Sequence, residues 1–443
     1  MKKFFILLLA TFFLNLLVFA SFDNLLNEAL LNDSNYLSAK LDFENALFER
    51  KQKGDWYIPY FTIGGGTNNF EVDIHDETSY SLNIPLSLTF KNVYGFDISV
   101  GNSWQYDSKK NEWKERGWTI SINRQLFTNF DIDDLLSLQK LENAAWNLLN
   151  ARNNVFTRLI EEIFNDYYYN AKLEILNKQL EILGSQAEAI QEKYQAGIVS
   201  LEELLKTQKE LQLLTQQLAD LQKSRINISK SYSKEIFDQM IQTLEKITGN
   251  LPSVDEALQI ARERADVKAS SIALEIARRR YERAYQSFLP NPSFTASVKI
   301  PQDLSSDGKF SISLGFSVSY TLIDRGEKSN SYFKTLENYN IQQRIFEEKL
   351  SSLERDVKRA ALSITIAEYS KKAADLDLSL AKLDYERTLK ASEYLSEQDV
   401  EKAKIQLENA EVEAIKAHYS LLVAKINYLK AIGVDLINLV KSR

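Results

Sequence analysis

The chain has 443 residues, 44% hydrophobic and 26% charged, with a formal net charge of −7 and no cysteine. That apolar content excludes a disordered tail, the acidic balance argues against nucleic acid as a partner, and stability must come without disulfides. Only 14 Gly and 6 Pro punctuate this length, a composition that favours long uninterrupted helices over many short elements.

Met1-Lys2-Lys3 and the apolar run Phe4–Phe19 read as a signal peptide with cleavage expected after Ala20. A retained anchor is the alternative, but roughly 16 apolar residues are short for a membrane span. Ser21–Gln52 lacks Gly and Pro and carries Leu25, Leu26, Leu30, Leu37, Leu41 and Ala46 at helical spacing, which predicts an amphipathic helix. From Trp56 to Phe127 the period changes to two. Leu82, Ile84, Leu86, Leu88 and Phe90 alternate with polar residues, as do Phe96, Ile98 and Val100, then Trp118, Ile120 and Ile122. Pro85 cannot donate a ladder hydrogen bond, so its strand is expected to be an edge, bulged or short.

Phe130–Lys193 then predicts a helix on the order of 95 Å long. The stretch Tyr194–Leu221 reads as the tip of a helical hairpin. Gly197 supplies a left-handed turn residue, Ser200 caps the next helix, and Glu203 is placed to close a capping box. Leu211, Leu214, Leu218 and Leu221 follow at coiled-coil spacing. The returning helix is expected to run to Thr248, before the break at Gly249-Asn-Leu-Pro252.

The second half repeats this order. Ser253-Val-Asp-Glu-Ala-Leu258 matches Ser21-Phe-Asp-Asn-Leu-Leu26, and Tyr394-Leu-Ser396-Glu-Gln-Asp399 repeats the Ser-x-x-acid helix start. The offset falls from 232 at Asp23/Asp255 to 196 at Glu203/Asp399, so 36 residues are missing from the second strand region, 288–323. The first copy therefore carries roughly two extra strands. The expected division is a signal peptide (1–20), a first repeat (21–250) with its tip near 194–200, a second repeat (251–433) with its tip near 391–398, and a tail (434–443).

Catalytic chemistry is not visible. His75 and His418 each lack a second ligand at metal spacing, Gly64-Gly-Gly66 lacks the Lys-Ser/Thr of a phosphate loop, and the acids are spread along helical faces. The expectation is a protein that is not an enzyme, with no cofactor and no metal. The strands say more. Ser311-Ile-Ser-Leu-Gly-Phe-Ser-Val-Ser-Tyr320 alternates without a fault, at the length and inverted polarity of a transmembrane barrel strand. A soluble sheet with one wet face is the alternative. Trp56, Trp104, Trp113 and Trp118 in the first strand region favour the membrane, as interfacial aromatics. The strands are too few to close a barrel alone, which calls for an oligomer.

The motif Tyr194-Gln-Ala-Gly197-Ile198-Val199-Ser200, the strand starts at Pro59 and Pro290, Leu322-Ile-Asp324-Arg-Gly326 and Ala431-Ile-Gly433 occur in an order that resembles the TolC family of outer-membrane efflux proteins. The resemblance covers nearly all of the chain after residue 20. It implies a mainly α fold with a β-barrel portion. Long coiled-coil hairpins would form a periplasmic tunnel, with outer-membrane strands shared in a homotrimer. It implies an exit duct for tripartite efflux or type I secretion, working with a periplasmic adaptor and an inner-membrane pump. By position, Gly197, Ile198, Val199 and Ser200 and then Glu393, Tyr394, Leu395 and Ser396 would be adaptor-docking turns. Asp399 would line the tunnel entrance as a ring of three carboxylates, with Glu203 its counterpart in the first half. Lys402 stands where some relatives have a second acid, and Lys390 and Glu393 stand where Tyr and Gly are expected. The two extra strands would either widen the barrel from 12 to about 18 strands or form an exterior extension. The competing reading is a structural coiled-coil spacer tethering the outer membrane. A tunnel needs a polar inner face, which Gln208, Gln212, Gln216 and Asp220 could supply.

Overall fold

The computed structural model describes residues 21–54, 58–64, 66–71, 79–93, 96–108, 110–125, 127, 130–228, 230–300, 311–392 and 394–441. The expected signal peptide, Trp56, His75 and Glu393 lie outside them. Ten α-helices and seven strands are described: α1 (Phe22–Asn32), α2 (Ser34–Gly54), β1 (Tyr60–Ile63), β2 (Gly66–Glu71), β3 (Ser79–Val93), β4 (Phe96–Asp107), β5 (Glu112–Gln125), α3 (Phe130–Gln195), α4 (Leu201–Ile226), α5 (Lys234–Thr248), α6 (Val254–Arg262), α7 (Ala265–Arg283), β6 (Asn291–Ile300), β7 (Ser311–Ser319), α8 (Glu327–Lys390), α9 (Glu397–Ala431) and α10 (Leu436–Lys441). None of the helices is long and apolar enough to cross a membrane.

Two long helices foreseen in the sequence are each broken once, and a different aspartate explains each break. The helix expected over Ser21–Gln52 divides at Asp33, whose backbone is extended. Its carboxylate accepts from Tyr36 N at 2.6 Å and so opens α2, while Arg158 on α3 holds the other oxygen at 2.5 Å. The helix expected to run to Thr248 stops at Ile226. Asp166 on α3 takes Tyr232 N at 2.8 Å and Arg225 at 2.6 Å, which satisfies the connecting backbone from outside a helix. Long-range partners therefore override a locally helical pattern.

The chain divides into two compact units. One comprises residues 1–40, 146–264 and 351–443. Its core gathers Phe22, Leu26, Phe156, Ile160, Met240, Leu244, Ile426 and Leu436, all buried. Phe164 stacks on Tyr419 at 3.8 Å and Tyr167 on Phe237 at 4.0 Å. α9 ends at Gly433, with φ +83° and hydrogen bonds from Gly433 N to Lys430 O and Val434 N to Leu429 O, a Schellman turn. No side chain fits at Gly433, because a Cβ there would lie 2.6 Å from Arg264 Cγ. Arg264 stacks over Trp146 at 4.2 Å and donates to Ala431 O at 2.7 Å.

The other unit, residues 41–145 and 265–350, holds the sheet. Its strands run antiparallel in the order β1-β3-β4-β5-β6-β7, and β2 also pairs with β3. β1 and β2 lie end to end along one edge of β3, opposite Leu86–Thr89 and Ser79–Asn83. Pro85 sits at the gap between them. Its carbonyl accepts from Gly64 N at 2.9 Å, and its missing donor falls where the ladder is already interrupted. β3 is thus a 15-residue interior strand rather than an edge. At the first turn of α3, Asp131 receives Arg279 at 2.8 Å and Arg283 at 2.5 Å. Arg283, then Arg279, holds its carboxyl below the ordinary value against the opposing effect of burial.

Candidate functional site

Strand alternation gives the sheet two different faces. One cross-strand row reads Phe61, Leu88, Val100, Ile120, Val298 and Ile312, all apolar. The row on the other face one step along reads Thr62, Ser87, Gly101, Thr119, Lys299 and Ser311. Hydroxyl pairs Ser99–Ser121, Ser293–Ser317 and Ser297–Ser313, each 2.6 Å apart, knit this second face. The apolar face is open: Ile312, Leu314, Phe316 and Val318 are all exposed. Asn102 interrupts it and is buried, with its amide donating to the Glu115 carboxylate.

Aromatic residues mark both ends of the apolar face. Trp104, Trp113 and Trp118, exposed, cluster towards the β4–β5 turn, with Tyr106 packed 5.3 Å from Trp113. At the opposite ends of the strands, cations lie over rings on this face, Arg124 over Phe96 and Lys328 over Tyr320, while Lys91 lies over Tyr60 on the other face. Phe96 to Tyr106 is ten steps along one strand, on the order of 33 Å. At barrel tilts this spans about 25 Å, the height of an apolar band in an outer-membrane barrel. Amphipathic aromatics and long cationic side chains suit the two interfaces of such a band.

The two helical tips belong to the first unit. The first is built as the sequence indicates: Gly197 has φ +71°, and Gly197 N to Tyr194 O and Ile198 N to Lys193 O complete a Schellman turn. Ser200 caps α4 by accepting from Glu203 N. The Glu203 carboxylate does not return a bond, so the expected capping box is only half made. Ile198 is 73% exposed, and Leu201 and Leu205 are exposed beside it. At the second tip Tyr394 is 88% exposed and Leu395 is exposed. The turn runs through Ala391 N to Arg387 O and Tyr394 N to Ala391 O. Gln186 on α3 reaches Gln398 at 3.4 Å, which brings the hairpins side by side within the unit.

Asp399 has a local task. Ser396 and Asp399 make the complete capping box of α9, with Ser396 Oγ donating to the carboxylate at 2.6 Å. That bond, then the one from Ser396 N, holds the Asp399 carboxyl below its ordinary 3.8, with Lys402 a lesser influence. A depressed value means the cap is intact above the ordinary pKa and is lost as pH falls through the lowered one. Amide protection at residues 397–400 is therefore expected to hold at neutral pH and fade below about pH 4, and Ser396→Ala should weaken it at both. Hydrogen exchange read by mass spectrometry checks this, and unchanged protection in the variant would refute the cap. Lys402 turns elsewhere: with Ile405 and Gln406 it lines a groove of about 450 Å³ against Gln179, Ile182 and Leu213. No hydrogen bond or ion pair joins Asp399, Lys402 and Glu203 among the described residues.

Three features were not anticipated from the sequence. Lys172 pairs with Glu413 at 2.6 Å and Lys178 with Glu408 at 2.8 Å, a ladder between α3 and α9 beside the buried Ile175, Ile405 and Val412. Its signal was lysines flanking an apolar seam, which sequence alone does not pair with partners more than 200 residues away. Arg225 fastens the base of the first hairpin to Asp166. On α8, Leu362, Ile366, Tyr369, Leu376, Leu380 and Leu383 form a heptad seam that is exposed in the single chain. Gln208, Gln212, Gln216 and Asp220 are also exposed.

No protein-family model matches the sequence, and no curated relative does. Solved structures do match in fold. The Campylobacter jejuni CmeC outer membrane channel aligns over 93% of this chain and 85% of its own, with TM-score 0.59 and 16% identity. The Vibrio cholerae outer membrane protein VceC aligns over 94% of this chain and 96% of its own, with TM-score 0.58 and 13% identity. The Neisseria gonorrhoeae MtrE outer membrane channel, in its open state, aligns over 94% and 89%, with TM-score 0.55 and 15% identity. At such identities the likeness shows the fold: long helical hairpins with a small antiparallel sheet, as the TolC resemblance implied.

Proposed function

We propose that this chain is an outer-membrane exit duct, a passive conduit of an efflux or type I secretion system rather than an enzyme. The observation that carries the reading is the sheet: an apolar face, interrupted at Asn102 and bounded by aromatics, backed by a face rich in Ser, Thr and Gly. It occurs in a fold shared with outer membrane channels. Lipid would cover the first face and water the second. The exposed α8 seam supports assembly from several copies, and the homotrimer comes from the family resemblance. The helical hairpins would carry the lumen across the periplasm. Their apolar tips, with Ile198, Tyr394 and Leu395 exposed and Val199 half-buried, would dock an adaptor that links the duct to an inner-membrane pump. Energy would come from that pump, and opening from a shift of the tip helices.

The entrance proposal is tested by planar-bilayer conductance of the purified protein against Asp399→Ala. A cation-selective pore that loses selectivity in the variant is the expected result. A pore indifferent to the change would keep the duct and remove Asp399 as its entrance group, leaving it the helix cap described above. A folded oligomer that never conducts, even with loosened tips, would favour the spacer.

A further inference from the structure

We infer that three copies of this chain close an eighteen-stranded barrel, six strand positions from each, wider than duplicated halves of equal size would make. The inference rests on the duct reading and deepens it. β1 and β2 share one position along β3, so the sheet is six positions wide: four from the first half of the chain and two, β6 and β7, from the second. Had both halves supplied two, three copies would make a barrel of about twelve.

The additional hairpin is β3–β4, and it lies inside the sheet. β3 pairs with β4 and β4 with β5 over most of their lengths. The apolar row passes through it without a change of side, from Leu88 to Val100 to Ile120. A hairpin folded against the outside of a barrel would not share both ladders and both faces with its neighbours. The count of two also has a reason. Every pairing is antiparallel, so inserting a pair of strands leaves the direction of β1 and β5 unchanged. An odd insertion would reverse every strand after it and send the following helix to the wrong side of the membrane.

Two edges remain, the outer edge of β1/β2 and that of β7. Unpaired backbone groups are not tolerated facing lipid, and the smallest membrane barrels have eight strands. One chain cannot close on itself, so β7 of one copy must meet β1/β2 of the next. Barrel diameter grows roughly linearly with strand number, so the outlet would be about 1.5 times as wide as a twelve-stranded one. Its lining is short and mostly uncharged, and selection of solutes would fall to the helical tips.

The absence of cysteine makes the test direct. Thr62→Cys in β1 is combined in turn with Ser313→Cys, Gly315→Cys and Ser317→Cys in β7, all on the polar face, and oxidised in membranes. At least one pair should give a covalently closed trimer, and Ser121→Cys in the interior strand β5 should give none with the same partners. Electron microscopy of the trimer in lipid nanodiscs should then count eighteen strands. A membrane trimer with twelve strands, or one joined through β5, overturns the inference and leaves the duct standing. A membrane barrel closed by two copies overturns the inference and the trimer together, and the absence of any membrane barrel overturns the duct reading.

Discussion

Asp166→Ala is expected to lower stability by about 3 kcal/mol, the scale for removing one partner of a buried ion pair. The Asp166 side chain is 1% exposed and its partner Arg225 is 23% exposed. Besides Arg225, the carboxylate accepts from Asn170 at 3.1 Å and from Tyr232 N at 2.8 Å. Truncation leaves a guanidinium and a backbone donor without their acceptor, and the cost comes from those orphaned groups more than from the lost attraction. Arg225 would keep its bonds to Asn170 and to Ile228 O, which limits the damage to the base of the first hairpin. Thermal unfolding of the solubilised protein should show the loss, and hydrogen exchange should rise around residues 230–233. Asp166→Asn, with one acceptor oxygen left, should fall between. Glu202→Ala, which breaks an exposed pair with Lys206, should change stability by less than about 0.5 kcal/mol. Equal effects from Asp166→Ala and Glu202→Ala would show that the buried clamp holds nothing.

This clamp also shows where reading the sequence stops. Helices, strands, the Gly197 turn and the Ser caps were legible because each depends on neighbours a few residues away: a period, a left-handed Gly, a side chain that reaches its own helix start. The divisions at Asp33 and at 227–233 were not, because they depend on Arg158 and Asp166, which approach only when distant helices pack. Pro85 shows the same limit. Its missing donor correctly indicated an interruption in the ladder, but the interruption fell in the neighbouring strand position, between β1 and β2. Asp399 shows the converse. Its place in a Ser-x-x-acid helix start already specified a cap, and the geometry bears out that local role while its part at a channel entrance depends on copies that a single chain does not display. The extra hairpin was counted from the length difference between halves, but its position inside the sheet required the register.

Sidedness is the property on which the duct depends most, and two adjacent residues of β7 test it. Leu314 lies on the apolar face, 72% exposed, opposite Ala296. Ser313 lies on the other face, its hydroxyl 2.6 Å from that of Ser297. Arginine near the midplane of a barrel's lipid face costs about 2–4 kcal/mol. In a trimer the penalty is incurred three times, so Leu314→Arg should abolish accumulation of assembled protein in the outer membrane. Ser313→Arg loses one exposed hydroxyl pair and places a cation in water, so assembly should persist. Three added positive charges should then shift the ion selectivity of the pore towards anions. Membrane fractionation reads the first effect and reversal potentials in asymmetric salt read the second. If instead Leu314→Arg assembles as well as the parent and Ser313→Arg does not, the faces are assigned the wrong way round. If both assemble and neither alters conduction, the sheet encloses no aqueous path, and the long hairpins would serve to span the periplasm, as the spacer reading holds, rather than to open it.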